Sequence, residues 1–333
     1  MFSAFNLSIS RDFFGDTEED FDQYIEIGEE HLQCGIESYK KNLERFIKNN
    51  TINGSELQEN WFPEIEADIF ISHSHGDKDL ANALAGWLYV KFKLKVFIDS
   101  NVWGYSKQLL EEINDKYSNK RDNPNGGYLY SHNLCNMASQ HVNIMLSAAL
   151  QKMIDKVECV MLLNTERSVK VFQGNRMNTY SPWIYSEILC TQIVRKKPLL
   201  CYRDYKASTP IYESDSLTSD VIKFIVSYDI SLDHLIDLTE GDLMSWLNRY
   251  NQKDWQYPLD ALYYSTHPNE LYNTKKFFNH TFATGLKEYI NGNNNRRQFK
   301  NTEHCNCFGV YLRCSENCDI RSCPLNRSNR RIE

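Results

Sequence analysis

Short apolar runs alternate with stretches of helical periodicity from residue 68 onward, and this alternation constrains the fold more than any other feature. The apolar runs lie at 68–72, 96–99, 159–163 and 199–202. Strands that alternate with helices form βαβ units, whose parallel strands are buried on both faces. The sequence therefore predicts an α/β fold with a central parallel sheet of about five strands.

The fifth strand has two candidates, at 222–226 and at 234–238, because periodicity does not separate them. A helix at 242–250 is expected to close the sheet domain, which we place at residues 66–250. Residues 1–65 are predicted to form an N-terminal helical extension, because apolar residues recur at helical spacing from 18 to 49. Residues 251–333 are predicted to form a C-terminal extension with a cysteine-rich, basic tail.

Composition excludes several partners. The 37 Lys and Arg residues are outnumbered by 44 Asp and Glu residues, so no general electrostatic reason to bind nucleic acid exists. No apolar run approaches the roughly 20 residues that a membrane helix needs, and no signal peptide is visible. We therefore expect a cytoplasmic protein without membrane or nucleic-acid partners.

The familiar cofactor motifs are missing from the sequence. Without G-x-G-x-x-G or G-x-x-x-x-G-K-[ST], neither a dinucleotide-binding Rossmann site nor a P-loop is supported, and G-x-S-x-G and H-E-x-x-H are missing too. Five cysteines between Cys305 and Cys323 lack the paired C-x2-C spacing of strong zinc sites. A zinc site and a reduced tail both remain open there, and we predict no metal.

The segment Ser181-Pro182-Trp183-Ile184-Tyr185-Ser186-Glu187 is the most informative candidate site. Ser181 suits the N-cap of a helix and Pro182 its first position. Trp183 and Glu187 are four positions apart and so share one helical face. Two interpretations are open: a core tryptophan beside a solvated glutamate, or a ring and a carboxylate that bind a nucleotide with a cationic leaving group.

Polar residues after the first predicted strand form a second candidate site. Ligands of open parallel sheets bind at the carboxyl ends of the strands. Ser74 and His75 stand there, where the free N–H groups of a helix N-terminus suit a phosphate. The alternative is that Ser74 or Asp77 only caps the helix.

The second predicted strand brings further candidates to the same edge. Asp99 ends that strand, where it can bind ribose hydroxyls or only cap a turn. Trp103 and Tyr105 follow in a loop, where they can stack on a base or pack over the sheet edge.

Taken together, the segments 68–74 and 96–99 and the motif Ser181-x-Trp183-x-x-x-Glu187 resemble the Toll/interleukin receptor (TIR) domain over residues 66–250. The resemblance is closest to NAD-cleaving, Thoeris-like TIR proteins of bacterial anti-phage defence. It implies a flavodoxin-like domain, with Glu187 as the catalytic glutamate and Trp183 in its pocket. It also implies that the loop after Asp99 borders the nicotinamide side.

The same resemblance implies partners, and the sequence departs from the family at one place. NAD+ is expected as substrate rather than cofactor, the chain is expected to assemble with copies of itself, and a downstream effector protein is expected to sense the product. Several family members carry arginines after the first strand, where His73, Ser74 and His75 stand here. The mode of phosphate contact is therefore open.

A single carboxylate fits the chemistry of NAD+ cleavage. Ordinary glycosidases need an acid as well as a second carboxylate, whereas nicotinamide is already a cationic leaving group. One anion can stabilise the oxocarbenium-like charge on the ribose. We expect an NAD+ glycohydrolase or ADP-ribosyl cyclase that makes a signalling nucleotide or depletes NAD in bacterial immunity. The alternatives are a catalytically silent TIR adaptor that acts by assembly, and a nucleoside-processing enzyme that releases free base.

Overall fold

The computed structural model describes residues 1–15, 17–33, 43–48, 51–102, 106–124, 126–172, 176–203, 227–253 and 255–274. The chain divides into two units, 1–268 and 269–333, and nearly all of the second lies outside the described residues. The strands are β1 Ser3–Ser8, β2 Ile47–Lys48, β3 Thr51–Ile52, β4 Ile69–Ser72, β5 Val96–Phe97, β6 Arg121–Asp122, β7 Tyr128–Leu129, β8 Cys159–Leu163, β9 Lys170–Phe172, β10 Arg176–Thr179, β11 Tyr228–Ile230 and β12 Ile236–Thr239. The helices are α1 Glu18–Gln33, α2 Gly54–Trp61, α3 Lys78–Phe92, α4 Asp99–Val102, α5 Ser106–Tyr117, α6 His132–Lys156, α7 Pro182–Ile193, α8 Glu240–Gln252 and α9 Pro258–Thr266. Short 3-10 turns span Arg11–Phe14, Leu43–Phe46, His75–Asp77 and Leu199–Tyr202.

The central sheet has five strands in the order β5-β4-β8-β1-β12, and all neighbours are parallel. If β4 is counted as strand 1, β5 as 2, β8 as 3, β1 as 4 and β12 as 5, this is the 2-1-3-4-5 order of flavodoxin-like sheets. Helices flank the sheet, so the predicted α/β class and parallel five-stranded sheet are confirmed. Of the two candidates for the last strand, 234–238 corresponds to β12, and 222–226 lies outside the described residues.

An interior strand of this sheet comes from the segment that we assigned to a helical extension. β1 pairs with β8 on one side, Phe5 opposite Met161, and with β12 on the other, Phe5 opposite Ile236. Phe5 and Leu7 are fully buried. Residues 1–65 are therefore not wholly helical, and they supply the position that the 199–202 run was predicted to fill.

The 199–202 prediction is wrong, because Leu199–Tyr202 is a 3-10 turn that follows Pro198. A four-residue apolar run does not by itself separate a strand from a buried turn. The helix predicted from 18 to 49 is also too long. It ends at Gln33, residues 34–42 lie outside the described part, and Leu43–Phe46 and Ile47–Lys48 form a 3-10 turn and a strand.

Two glycines allow α1 and α3 to pack with their backbones in close contact. A Cβ atom on Gly28 would lie 2.1 Å from the carbonyl oxygen of Asn82, and one on Gly86 would lie 2.0 Å from that of Tyr24. Any side chain at either position would push the helices apart. Asn82, fully buried in α3, donates to Glu29 of α1 at 2.8 Å, so the same contact also carries a hydrogen bond.

A buried ion cluster lies at the amino end of β8. The Arg203 guanidinium, whose side chain is 1% exposed, donates to both carboxylate oxygens of Glu158 at 2.8 Å. It also donates to Asp260 Oδ1, at 2.6 Å from Nη2 and 3.0 Å from Nε. Burial raises the pKa of Glu158, while its hydrogen bonds to Arg203 act in the opposite direction. The cluster ties β8 to α9 and to the segment after α7.

Within the described ranges, none of the helices is long and apolar enough to pass through a membrane.

Candidate functional site

Helix α7 presents Glu187 to the carboxyl edge of the sheet. The helix starts as predicted: the Ser181 side chain accepts a hydrogen bond from the Ile184 N–H at 3.2 Å, and Pro182 occupies the first turn. Glu187 is only 3% exposed, so it is not the solvated glutamate of the simpler interpretation. Trp183, one turn earlier, is partly buried and packs against the hydrophobic core, as the other half of that interpretation expected.

Ser72, the last residue of β4, holds the Glu187 carboxyl group. Its hydroxyl donates a hydrogen bond to Glu187 Oε2, and the serine itself is 2% exposed. Because β4 is buried along its whole length, the position of this hydroxyl is fixed by the sheet. Sequence reasoning gave Ser72 no role, although a polar residue at the end of a predicted strand was a usable signal.

The His73 ring lies near two consecutive residues at the start of α4, Asp99 and Ser100. Its Nε2 atom is 3.1 Å from Ser100 Oγ, and its Nδ1 atom is 3.9 Å from Asp99 Oδ1. Burial lowers the pKa of His73, and the neighbouring Asp99 raises it by a smaller amount. Asp99 is the first residue of α4, and its side chain keeps 29% of its surface exposed.

Asp99 is close enough to Glu187 for its charge to act on that carboxyl group. Burial raises the pKa of Glu187 well above 4.5, the negative charge of Asp99 raises it further, and the hydrogen bond from Ser72 opposes both. Glu187 is therefore largely protonated under conditions in which an exposed glutamate is ionised. The edge of the sheet thus carries two carboxyl groups in contrasting surroundings, one buried and one partly exposed.

The two predicted phosphate-binding residues, Ser74 and His75, differ in their exposure. Ser74 is buried and donates to Asp77 Oδ2 at 2.8 Å, whereas His75 is exposed. Ser74 and Asp77 occupy the N-cap positions of the 3-10 turn and of α3, as the capping alternative expected, but neither side chain makes a capping hydrogen bond to the backbone. Thr165 Oγ1 donates to the same oxygen of Asp77 at 2.6 Å.

Arg167 completes this network from the loop after β8. Its Nη1 atom lies 3.3 Å from Asp77 Oδ1 and also donates to the carbonyl oxygen of Gly76. The guanidinium side chain remains 67% exposed. Sequence reasoning missed Thr165 and Arg167, because nothing in their own segment indicates a partner near residue 77. The structure therefore does place an arginine beside the segment after β4, although it comes from another loop.

Trp103 and Tyr105 lie outside the described residues, as do Cys305 and Cys323, so these predictions stay as made. In the described ranges, no three or more His, Cys, Asp or Glu side chains are grouped so that they could hold a metal ion.

Two cavities in the described part of the chain lie away from Glu187. One, of about 510 Å³, is lined by Glu64, Lys152, Asp155, Lys156, Lys197, Cys201 and Tyr202. The other, of about 160 Å³, is lined by Gly28, His31, Ile65, Glu66, Ala85, Tyr89, Leu94, Lys95 and Val96. Because Glu187 is 3% exposed, a ligand reaches its carboxyl group only when the groups that cover it move.

Comparison with known proteins gives no relative: no protein-family model, no curated protein and no solved structure matches the chain. The chemistry of the site must therefore be argued from its own geometry.

Proposed function

We propose that the chain is a TIR-type NAD+ glycohydrolase or ADP-ribosyl cyclase that cleaves the nicotinamide–ribose bond at Glu187. The observation that carries this proposal is the buried carboxyl group of Glu187, fixed by Ser72 at the carboxyl edge of the parallel sheet and close to Asp99. This is the edge at which open α/β sheets bind ligands. A buried acidic group with a displaced pKa, beside a second carboxyl group, is typical of catalytic sites.

The charge of the substrate explains how a protonated glutamate can act as an anion. A cationic nicotinamide ring next to Glu187 favours the ionised carboxylate, so binding of NAD+ is coupled to release of the proton. In surroundings of low dielectric constant the resulting carboxylate strongly stabilises positive charge on the ribose as the C–N bond breaks. The Ser72 hydroxyl then keeps the carboxylate in one orientation.

The neighbouring residues have roles that follow from their positions. Asp99, partly exposed and approached by His73, is suited to bind the ribose hydroxyls. Trp183 lies one turn from Glu187 on α7 and is suited to line the nicotinamide side, as the family resemblance implies. Ser74 is held by Asp77, and His75 is exposed at the same edge, where it is the more available of the two for a phosphate.

The group that captures the ribosyl cation determines the product. Water gives ADP-ribose, and attack by an atom of the same molecule gives a cyclic isomer. Either product fits a role in bacterial immunity, through a signalling nucleotide read by an effector protein or through loss of NAD+. We also propose that the protein acts in the cytoplasm as an assembly of several copies.

A second candidate function is a catalytically silent TIR adaptor. It is favoured by the 3% exposure of Glu187 and by the location of the two cavities elsewhere. In that case the Ser72–Glu187 hydrogen bond serves only to join β4 to α7. The two candidates differ in whether purified protein consumes NAD+.

The test is incubation of the purified chain with NAD+ at high protein concentration, with products identified by mass spectrometry. Glu187→Gln keeps the size and a hydrogen-bonding amide but cannot become an anion, so we expect turnover to fall by roughly 10²-fold or more. Glu166→Gln is the matched control, because Glu166 is exposed in the loop after β8 at the same edge of the sheet. Intact NAD+ under conditions that promote assembly, or equal activity in Glu187→Gln, contradicts the enzymatic proposal.

A further inference from the structure

The two carboxyl groups at the sheet edge have different surroundings, and this difference has chemical consequences beyond NAD+. Glu187 is 3% exposed and has Ser72 as its hydrogen-bond donor. Asp99 is 29% exposed and has the buried His73 ring at 3.9 Å. Two adjacent residues of one chain segment, Ser72 and His73, thus approach the two carboxyl groups.

We infer that the same site also cleaves the N-glycosidic bond of uncharged ribosides, with Glu187 as the proton donor to the departing base and Asp99 as the base that activates water. This inference rests on the proposed function in assigning substrate chemistry to Glu187. It extends the substrate class from a pyridinium riboside to nucleosides whose leaving base is neutral.

The step balances without any further reactant. The bond between C1′ of the ribose and the base nitrogen breaks, and its electron pair goes to the base, which takes the proton of Glu187. The oxygen of a water molecule bonds to C1′ and loses a proton to Asp99. The site ends with Glu187 ionised and Asp99 protonated, and exchange of one proton with solvent restores the starting state.

Geometry supports these two roles. A buried carboxyl group retains its proton and can donate it, which a neutral leaving base requires. The partly exposed Asp99 has access to water. Among the described residues, Asp99 is the charged group whose field acts on Glu187. Burial raises the pKa of the nearby Cys190 to about 11, so this thiol stays neutral.

Substrate charge therefore determines which form of Glu187 is active. For NAD+ the active form is the carboxylate, so cleavage rises with pH as Glu187 ionises. For an uncharged riboside the active form is the acid, so base release falls as pH rises through the same ionisation. One residue thus gives two opposite pH profiles.

The experiment compares NAD+ with a panel of adenosine, inosine, uridine and cytidine across pH, with free base and nicotinamide separated by chromatography. We expect base release that falls with rising pH, and that drops roughly 10²-fold or more in Glu187→Gln and in Asp99→Asn. Asp229→Asn and Glu166→Gln, which change exposed residues, serve as matched controls.

Each outcome separates this inference from the proposed function. Nicotinamide release without release of base from any nucleoside overturns the inference and leaves the NAD+ proposal standing. Base release without nicotinamide release overturns the NAD+ proposal and leaves this inference standing. Base release that rises with pH, or that persists in Glu187→Gln, overturns the assignment of Glu187 as proton donor, and failure of both reactions overturns both proposals.

Discussion

Ser72 and Glu187 are joined by a hydrogen bond across 115 positions of the chain, and this bond links the end of β4 to the interior face of α7. The next residue, His73, lies 3.9 Å from Asp99. The last residue of one strand and its neighbour therefore contact both carboxyl groups of the candidate site. Removal of the Ser72 hydroxyl group should therefore alter the ionisation of Glu187 and leave the fold in place.

Ser72→Ala should raise the pKa of Glu187 further, because the serine hydrogen bond favours the ionised form. The pH at which NAD+ cleavage reaches half its maximum should move upward, as measured from pH–rate profiles. We also expect a loss of about 1–3 kcal/mol in the free energy of unfolding, since a buried carboxyl group loses its partner. Ser72→Thr keeps the hydroxyl group and is the control; an unchanged profile in Ser72→Ala contradicts the prediction.

Glu187→Gln should change how stability depends on pH. The pKa of Glu187 is raised in the folded state, so the unfolded chain ionises first, near pH 4.5, and stability falls as pH rises from there to the folded-state pKa. The glutamine variant lacks this loss. Its free energy of unfolding relative to the wild type should therefore increase with pH, as followed by urea titration. A difference that stays constant from acid to alkaline pH argues against a displaced pKa.

His73→Gln should reduce the loss of stability in acid. Burial lowers the pKa of His73 below 6.5, so the unfolded chain takes up a proton first and stability is lost as pH falls below that value. Without the imidazole, the decline in melting temperature between about pH 7 and pH 5 should be shallower. His141→Gln, which changes an exposed histidine of α6, is the control. Parallel slopes in wild type and His73→Gln count against the prediction.

Gly86→Ala should destabilise the fold by about 1–3 kcal/mol or more, because its Cβ would lie 2.0 Å from the carbonyl oxygen of Tyr24. Gly54→Ala is the matched control. There the nearest atom is Met145 Cε at 3.5 Å, an ordinary contact, and alanine is the better helix former. Chemical denaturation should show a clear loss in the first variant and little change or a small gain in the second. Equal stability of the two variants rules out the close approach of α1 and α3.

Arg203→Met should cost about 3–5 kcal/mol, because it leaves Glu158 and Asp260 buried without their cation. The triple variant in which Glu158 and Asp260 are also replaced by apolar residues should recover much of this loss, since no uncompensated charge then remains. Arg121→Met, at an exposed position, provides the control. A loss below 1 kcal/mol in Arg203→Met is incompatible with the buried cluster.

The parts of the fold that follow local rules were predictable from sequence. β4, β5 and β8 are short apolar runs, and α7 begins where Ser181 and Pro182 indicate. β1 was not predictable in this way, because Ser3–Ser8 mixes polar and apolar residues and its strand character depends on partners at 159–163 and 236–239.

The same distinction between local and long-range features applies to the candidate site. Glu187 and Asp99 were identified because a position on a predicted helix and one at the end of a predicted strand carry meaning alone. The strand predicted at 96–99 is shorter in the structure, since β5 ends at Phe97 and Asp99 begins α4. Sequence reasoning did not identify the hydrogen bond from Ser72 to Glu187 or the contact of Arg167 with Gly76. Each of these contacts joins residues that are distant in sequence. Pairings across loops depend on tertiary packing, which local periodicity does not encode.

The interior position of β1 in the sheet has a consequence for how the chain acquires its structure. During synthesis β1 is made first, yet its two neighbours, β8 and β12, are made about 150 and 230 residues later. Until residue 239 has been made, β1 lacks one of its two partner strands, and one edge of its backbone stays unpaired. Assembly of the core must therefore wait for nearly the whole first unit, and this order of events favours post-translational, all-or-none folding over stepwise growth from the N-terminus.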